Sequence, residues 1–297
     1  MLSEHSQRYI GRFAPSPTGP LHLGSLYAAL ASYLHAKAQQ GKWLLRIDDL
    51  DTFRNVPSAA PRIIEALQIY GLHWDDSIFY QSQHLASYHT VINQLLAQNL
   101  VYPCRCSRKS LANTPIYPGY CLHRQVETNT AHALRIKTTN ITLGFDDEIQ
   151  GQLIQSVAEQ YGDFIVKRKD NIIAYQLAVV IDDYRQNISH IVRGFDLLDS
   201  TPKQLFLQQL LGYPTPTYCH VPLIVDQQGN KLSKQAFAQA VSLKNPEKTL
   251  YLLLTLLKQN PPVILKSASV PTMIQWAIEN WQSQPLKKIR AINEGVH

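Results

Sequence analysis

With 297 residues, 45% hydrophobic and 17% charged, the chain has the material for one large or two modest packed domains of ordinary soluble composition. The longest apolar block, residues 250–257, is far too short to cross a bilayer, and residues 1–7 lack the apolar stretch of a secretory signal; both argue for the cytoplasm and against a membrane partner. The net charge of +6 favours phosphate-rich partners without requiring one, since clusters such as Arg105, Arg108, Lys109 and Arg124, or Lys167-Arg168-Lys169, also serve as solvated surface.

In chain order, Tyr9-Ile10-Gly11-Arg12-Phe13-Ala14 reads as a short buried strand, halted by Pro15-Ser16-Pro17-Thr18-Gly19-Pro20, which neither a helix nor a central strand can absorb. Leu21-His22-Leu23-Gly24-Ser25 leads into a helical pattern over residues 26–38, rich in Ala and Leu. Gly41-Lys42 closes it, and Trp43-Leu44-Leu45-Arg46-Ile47-Asp48 is a second strand ending in acid. Strand, helix and strand in so short a span make a βαβ unit, hence an α/β protein with a parallel sheet. Helices are expected over residues 58–71 and 84–98. From Val101 to Lys169 the texture changes to cysteines, prolines and short strands such as Ala133-Leu134-Arg135-Ile136-Lys137, which reads as an insertion. The α/β texture resumes with Ile172-Ile173-Ala174-Tyr175, residues 188–192 and a helix at 201–212. Val221-Pro222-Leu223-Ile224-Val225 then runs through the turn Asp226-Gln227-Gln228-Gly229-Asn230 to Lys231-Leu232-Ser233-Lys234, and the remainder, including 273–281, reads as helical.

Three groups of residues carry chemistry. Between the first strand and helix, Gly permits close approach of backbone to a phosphate, the helix start offers free N–H groups, and His22 can donate to phosphate oxygens as charge builds on them. The two lysines of Lys231-Leu232-Ser233-Lys234 suit a loop that neutralises a polyphosphate, although so short a string is common on solvated surfaces. Arg12 and Asp48 stand at or near the ends of parallel strands, where open α/β sheets bind ligands. Together with Arg193 they complement an acidic amino acid, two guanidiniums for two carboxylates and a carboxylate for the ammonium; each alone could be a structural ion pair.

The order of these pieces is similar to that in class I aminoacyl-tRNA synthetases, specifically the glutamyl group. Pro17-Thr18-Gly19-Pro20-Leu21-His22-Leu23-Gly24-Ser25 resembles the first family signature and Lys231-Leu232-Ser233-Lys234 the second; residues 12–19 and Leu45-Arg46-Ile47-Asp48-Asp49-Leu50-Asp51 resemble marks of the glutamyl branch. The resemblance covers roughly residues 8–240 and implies a Rossmann-type parallel-sheet catalytic core with a zinc-containing insertion and a short C-terminal helical region. It implies a division into 1–100 and 171–240 as the two halves of the core, 101–170 as an inserted acceptor-binding subdomain, and 241–297 as helices without an anticodon-binding domain. It also implies that Pro17, Gly19, His22, Gly24, Ser25, Lys231, Leu232, Ser233 and Lys234 bind ATP, with His22 and Lys234 catalytic. Arg12, Ala14, Ser16, Asp48, Tyr175 and Arg193 would form the glutamate pocket, Asp48 holding the ammonium and Arg193 the side-chain carboxylate. Asp48 departs from the family, which usually has Glu there, so this carboxylate is one methylene shorter.

Cys104, Cys106 and Cys121 lie close in sequence, a clustering that in a chain without an apparent leader favours a metal over a disulfide; Cys219 stands apart as a buried apolar residue. Three thiolates and one N or O donor satisfy tetrahedral zinc. Chemistry alone favours His123 as the fourth donor, whereas the resemblance implies Tyr117. The short stretch after Lys234, residues 235–297, resembles the truncated paralogue of the glutamyl group, which attaches glutamate to the queuosine base in the anticodon of tRNA(Asp). The implied reaction uses ATP with Mg2+ and L-glutamate to form glutamyl-adenylate, then transfers the glutamyl group to the nucleic acid, with zinc structural. Conventional charging of tRNA 3′ ends shares the first step, and a non-catalytic RNA-binding paralogue would have no need of His22, Gly24, Lys231 and Lys234.

Overall fold

The computed structural model describes residues 9–230, 240–293 and 295. Strand β1 (Ile10–Phe13), helix α1 (Leu23–Ala38) and strand β2 (Lys42–Ile47) form a βαβ unit, followed by α2 (Ala59–Ile69), β3 (Asp75–Tyr80) and α3 (Leu85–Ala97). Then come β4 (Val101–Cys104), β5 (Ala133–Ile136), β6 (Thr142–Asp147), β7 (Gly151–Ser156), α4 (Val157–Tyr161) and β8 (Ile165–Lys167). The chain continues through α5 (Tyr175–Arg185), β9 (His190–Gly194), α6 (Thr201–Leu211), β10 (Thr217–Val221), β11 (Leu223–Val225), α7 (Pro246–Leu256), α8 (Val270–Glu279) and β12 (Ala291–Asn293).

Strands β1, β2 and β3 pair in parallel in that order, with Ile10 opposite Lys42 and Phe13 opposite Leu45. A second sheet runs β7-β6-β10-β9; its β10–β9 pair is parallel, and the two sheets meet where Ser189 N donates to Ile10 O at 2.9 Å. Helix α1 packs on β1, β2 and β9 and under α8, so it is apolar around most of its circumference: Leu26, Leu30 and Leu34 are fully buried. Burying each such leucine stabilises by about 1.5–3 kcal/mol. Trp43 fills the space between α1 and β2, its indole N–H donating to Ser32 Oγ at 2.9 Å.

Two readings of the sequence are corrected. Where the α/β texture resumes at residues 172–175, Ile173 makes a single bridge to Lys167, and Tyr175 opens α5 with Ala174 as its extended cap. The apolar run that follows lies in that helix, where residues 177–183 are buried all round, and short apolar runs do not distinguish strand from helix by period. Helix α1 begins at Leu23, three residues ahead of its apolar pattern, because His22 caps it. The tail is not wholly helical, since residues 291–293 pair in parallel with β11. Segment 101–170 also has two parts. Strands β4, β5 and β8 make an antiparallel sheet, while the β6–β7 hairpin belongs to the sheet of β9 and β10. Among the described residues no helix is long and apolar enough to cross a membrane.

Candidate active site

Leaving β1, the chain crosses residues 15–20 strapped to its neighbours: Asp48 N donates to Pro15 O at 3.0 Å and Val56 N to Pro17 O at 2.9 Å. Gly19 takes φ of 148°, which side chains rarely allow, and so turns the chain into α1. His22 is the N-cap: its Nδ1 accepts from Ser25 N at 3.2 Å, and its Nε2 lies 2.8 Å from Ser25 Oγ. With Nδ1 accepting, the ring proton is assigned to Nε2. This helix start, through His22, Gly24 and Ser25, borders a cavity of about 300 Å³ at the ends of β1 and β9, where the helix dipole suits an anion.

Arg12 and Arg193 both line this cavity, yet their surroundings differ. Arg12 is buried with Nε and Nη2 on the two oxygens of Asp183, at 3.1 and 3.4 Å, an ion pair that does not involve Nη1. Asp183 also accepts from Arg46 Nη1 at 2.7 Å, and Arg46 Nε reaches Asp48 at 2.8 Å. Burial pushes Asp183 up, but the two guanidiniums overcome it and hold the carboxyl below its ordinary range. For Asp48 burial prevails over Arg46, and the carboxyl is pushed up to about 6. Asp182, next along α5, accepts from Gln81 at 2.7 Å and Tyr88 at 2.9 Å. Arg12 and Arg46 against Asp48, Asp182 and Asp183 leave one excess negative charge when all are ionised, which suits an ammonium.

Arg193 instead meets neutral acceptors: His220 Nε2 at 3.0 Å, Gln204 Oε1 at 2.8 Å, Thr201 Oγ1 at 2.8 Å and Leu197 O at 3.3 Å. A buried guanidinium without an acid at contact favours an incoming carboxylate. Around one site, then, the Asp48 side is rich in acid, and the other side offers Arg193 with no acid in direct contact, Asp196 lining the same cavity.

Of the candidate residues, Arg12, Ala14, Ser16, His22, Gly24, Ser25, Tyr175 and Arg193 line the same cavity. Asp48 lines an adjoining one of about 270 Å³ that shares Ser16, Thr18 and Tyr175. Pro17 and Gly19 line neither and shape the turn. Lys231, Leu232, Ser233 and Lys234 lie outside the described residues. Sequence reasoning missed Arg46, Asp183, His220 and Gln204. The adjacent acids Asp182-Asp183, set at the end of an apolar helical run, were the one available signal, since acids so placed are buried only if paired.

The cysteine segment gathers in space. Cys106 Sγ is 3.6 Å from Cys121 Sγ, and Tyr117 Oη lies 3.4 Å from Cys104 Sγ and 3.7 Å from Cys106 Sγ. Bonds of ~2.3 Å to sulfur and ~2.0 Å to oxygen give tetrahedral edges of about 3.8 and 3.5 Å, so the donors present fit one zinc. Tyr117 is held by a bridge to Gly162, where any side chain would meet Tyr117 O at 2.5 Å, and by the Arg135 guanidinium 3.6 Å over its ring. Burial opposes ionisation of Cys121, but the Arg105 N–H and bonds from Tyr117 and the other thiols bring it down to about 7. His123 is exposed and outside this group. A second set, His35, Glu148 and Cys219, is closed by its own hydrogen bonds, both His35 ring nitrogens being engaged, by Tyr9 and by Glu148 at 2.8 Å each.

Residues 10–259 match the family model described as tRNA synthetases class I (E and Q), catalytic domain. The chain is 47% identical over 279 residues to the glutamyl-Q tRNA(Asp) synthetase of Thiobacillus denitrificans, covering 92% of this chain and 93% of that one. It is 43% identical to the protein of the same name from Methylococcus capsulatus, over 99% of both. In structure it is similar to a glutamate tRNA ligase from Elizabethkingia meningosepticum in complex with its amino acid, with a TM-score of 0.81 and 24% identity, over 97% of this chain and 67% of that one.

Proposed function

Because the chain belongs to the class I tRNA synthetases of the E and Q type, and within them with the glutamyl-Q tRNA(Asp) synthetases, we propose that it activates L-glutamate with ATP as glutamyl-adenylate and transfers the glutamyl group to the queuosine base in the anticodon of tRNA(Asp). It is an enzyme, a ligase of that family. The observation that carries the reading is the pairing of an acid-rich side at Asp48 with the Arg193 guanidinium, whose direct partners are neutral, about a cavity at a helix start. Glutamate has one ammonium and two carboxylates to match, with Arg12 and Arg193 for the carboxylates and Asp48 for the ammonium.

In this reading a glutamate α-carboxylate oxygen attacks the α-phosphorus of ATP and pyrophosphate departs. A hydroxyl of the acceptor base then attacks the mixed anhydride and AMP departs. The N–H groups at the start of α1 and the His22 Nε2–H stabilise the oxygens on which charge develops, while Tyr175 and Ser16 border the glutamate. Lys231, Leu232, Ser233 and Lys234, which lie outside the described residues, are assigned to ATP on the resemblance of their motif alone. Mg2+ accompanying ATP would offset phosphate charge, and zinc held by Cys104, Cys106, Tyr117 and Cys121 would brace the fold, having no open position for substrate. No covalent bond to the enzyme is required, and catalysis rests on positioning and electrostatics.

The test is glutamate-dependent exchange of pyrophosphate into ATP, measured without tRNA. The wild type should exchange, and His22→Ala or Lys234→Ala should lower the rate by about 10²-fold or more, the usual loss of a donor to developing charge. No glutamate-dependent exchange in the wild type would overturn the reading.

A further inference from the structure

We infer that Asp147 and His220 are a buried positioning pair that holds Arg193 in a fixed orientation with no acid in direct contact, and so make the cavity select a side-chain carboxylate over a carboxamide. The inference rests on the glutamate reading above and adds the residues that set its specificity.

Arg193 Nε donates to His220 Nε2 at 3.0 Å. A ring nitrogen that accepts from a guanidinium carries no proton, so His220 is neutral with its hydrogen on Nδ1. Nδ1 then donates to Asp147 Oδ2 at 2.6 Å. Asp147 is itself fixed at the end of β6, accepting from the backbone N–H groups of His220 at 3.1 Å, Ile149 at 3.1 Å and Gln150 at 2.8 Å. Asp147 and His220 are both fully buried in their side chains. The carboxylate therefore sets the imidazole tautomer and orientation from behind, one ring away from the guanidinium, without meeting it in an ion pair.

The remaining contacts of Arg193 keep its charge in place without cancelling it. Nη1 donates to Gln204, and Nη2 donates to Thr201 and the Leu197 carbonyl. Four of the five guanidinium N–H bonds are thus committed to neutral acceptors, leaving one on Nη1. The Tyr218 ring lies 5.3 Å from Cζ. Arg12, in contrast, carries its own acid, Asp183. A ligand carboxylate at Arg193 meets a guanidinium of fixed orientation whose direct partners are all neutral, whereas a carboxamide offers it only a dipole. Besides Asp147 and Arg193, Asp196 is the charged group that acts on His220, from the turn following β9. Burial and Arg193 both keep the imidazole from protonating, which preserves its accepting nitrogen.

The test compares His220→Leu, which removes the acceptor, with His220→Gln, which keeps a neutral one, using glutamate-dependent pyrophosphate exchange of the whole protein. His220→Leu should raise the KM for glutamate at least ~10-fold, leave kcat within about threefold and the KM for ATP unchanged, and narrow the preference for glutamate over glutamine. His220→Gln should recover most of the affinity and the preference. A wild-type KM and preference in His220→Leu would overturn the inference alone. So would a joint fall of kcat and both KM-derived affinities, with lower thermal stability, that His220→Gln fails to restore. A wild type inert towards glutamate would overturn the functional reading and the inference together.

Discussion

Asp48 follows β2 beside Arg46, and its burial makes its charge sensitive to mildly acidic pH. Its folded pKa is raised to about 6, so its negative charge is present above that pH and is lost as pH falls through it. An ammonium ligand loses its partner in the same window. The KM for glutamate should therefore rise as pH is lowered below about 6, and Asp48→Asn should show a raised KM at neutral pH with this limb flattened; a parallel acid limb in Asp48→Asn would separate Asp48 from ammonium binding. Arg12, His22 and Arg193 were legible as candidates because strand ends and a Pro/Gly turn before a helix mark where ligands meet an open sheet. Their partners were not legible. Nothing in the sequence joins Arg12 to Asp183 across 171 positions, or Arg193 to His220 and Asp147, because those pairings exist only once β6, β9, β10 and α5 are assembled.

At the scale of elements, the cysteine segment gives the sharpest expectation. Protein purified without added metal should hold about one zinc per chain by elemental analysis, and Cys106→Ser should reduce it. Tyr117→Phe should weaken retention, and His123→Ala should not, since Tyr117 lies among the sulfurs and His123 is exposed. A folded, active and metal-free preparation would remove the site. The sequence supported both donors for different reasons, and it is the Gly162 bridge and Arg135 stacking that bring Tyr117 into the group. Elements with a strong period were readable: α2, α3 and α6 lie within two residues of their expected bounds. The elements that were hard to read were short. Residues 172–175, left without an element type, are an apolar run too brief to reveal its period, and β12 has only three residues, defined by the partner β11 rather than by a pattern of its own.

At the scale of the whole molecule, the net charge of +6 suits a polyanionic acceptor such as the one proposed. Phosphate contacts would supply much of the affinity, so tRNA binding should weaken steeply as salt is raised. A modified base in a single-stranded anticodon loop can be splayed into a pocket, which a base inside a duplex cannot. The parallel-sheet core was legible from its βαβ unit, whereas the identity of the acceptor rests on family membership, because the adenylate step is common to both kinds of charging. The most direct measurement is therefore the site of attachment. Aspartate tRNA, with and without queuosine, is incubated with enzyme, ATP and labelled glutamate, and nuclease cleavage then separates the anticodon stem-loop from the 3′-terminal fragment. The account predicts label on the anticodon stem-loop only when queuosine is present; label confined to the 3′-terminal fragment would contradict it.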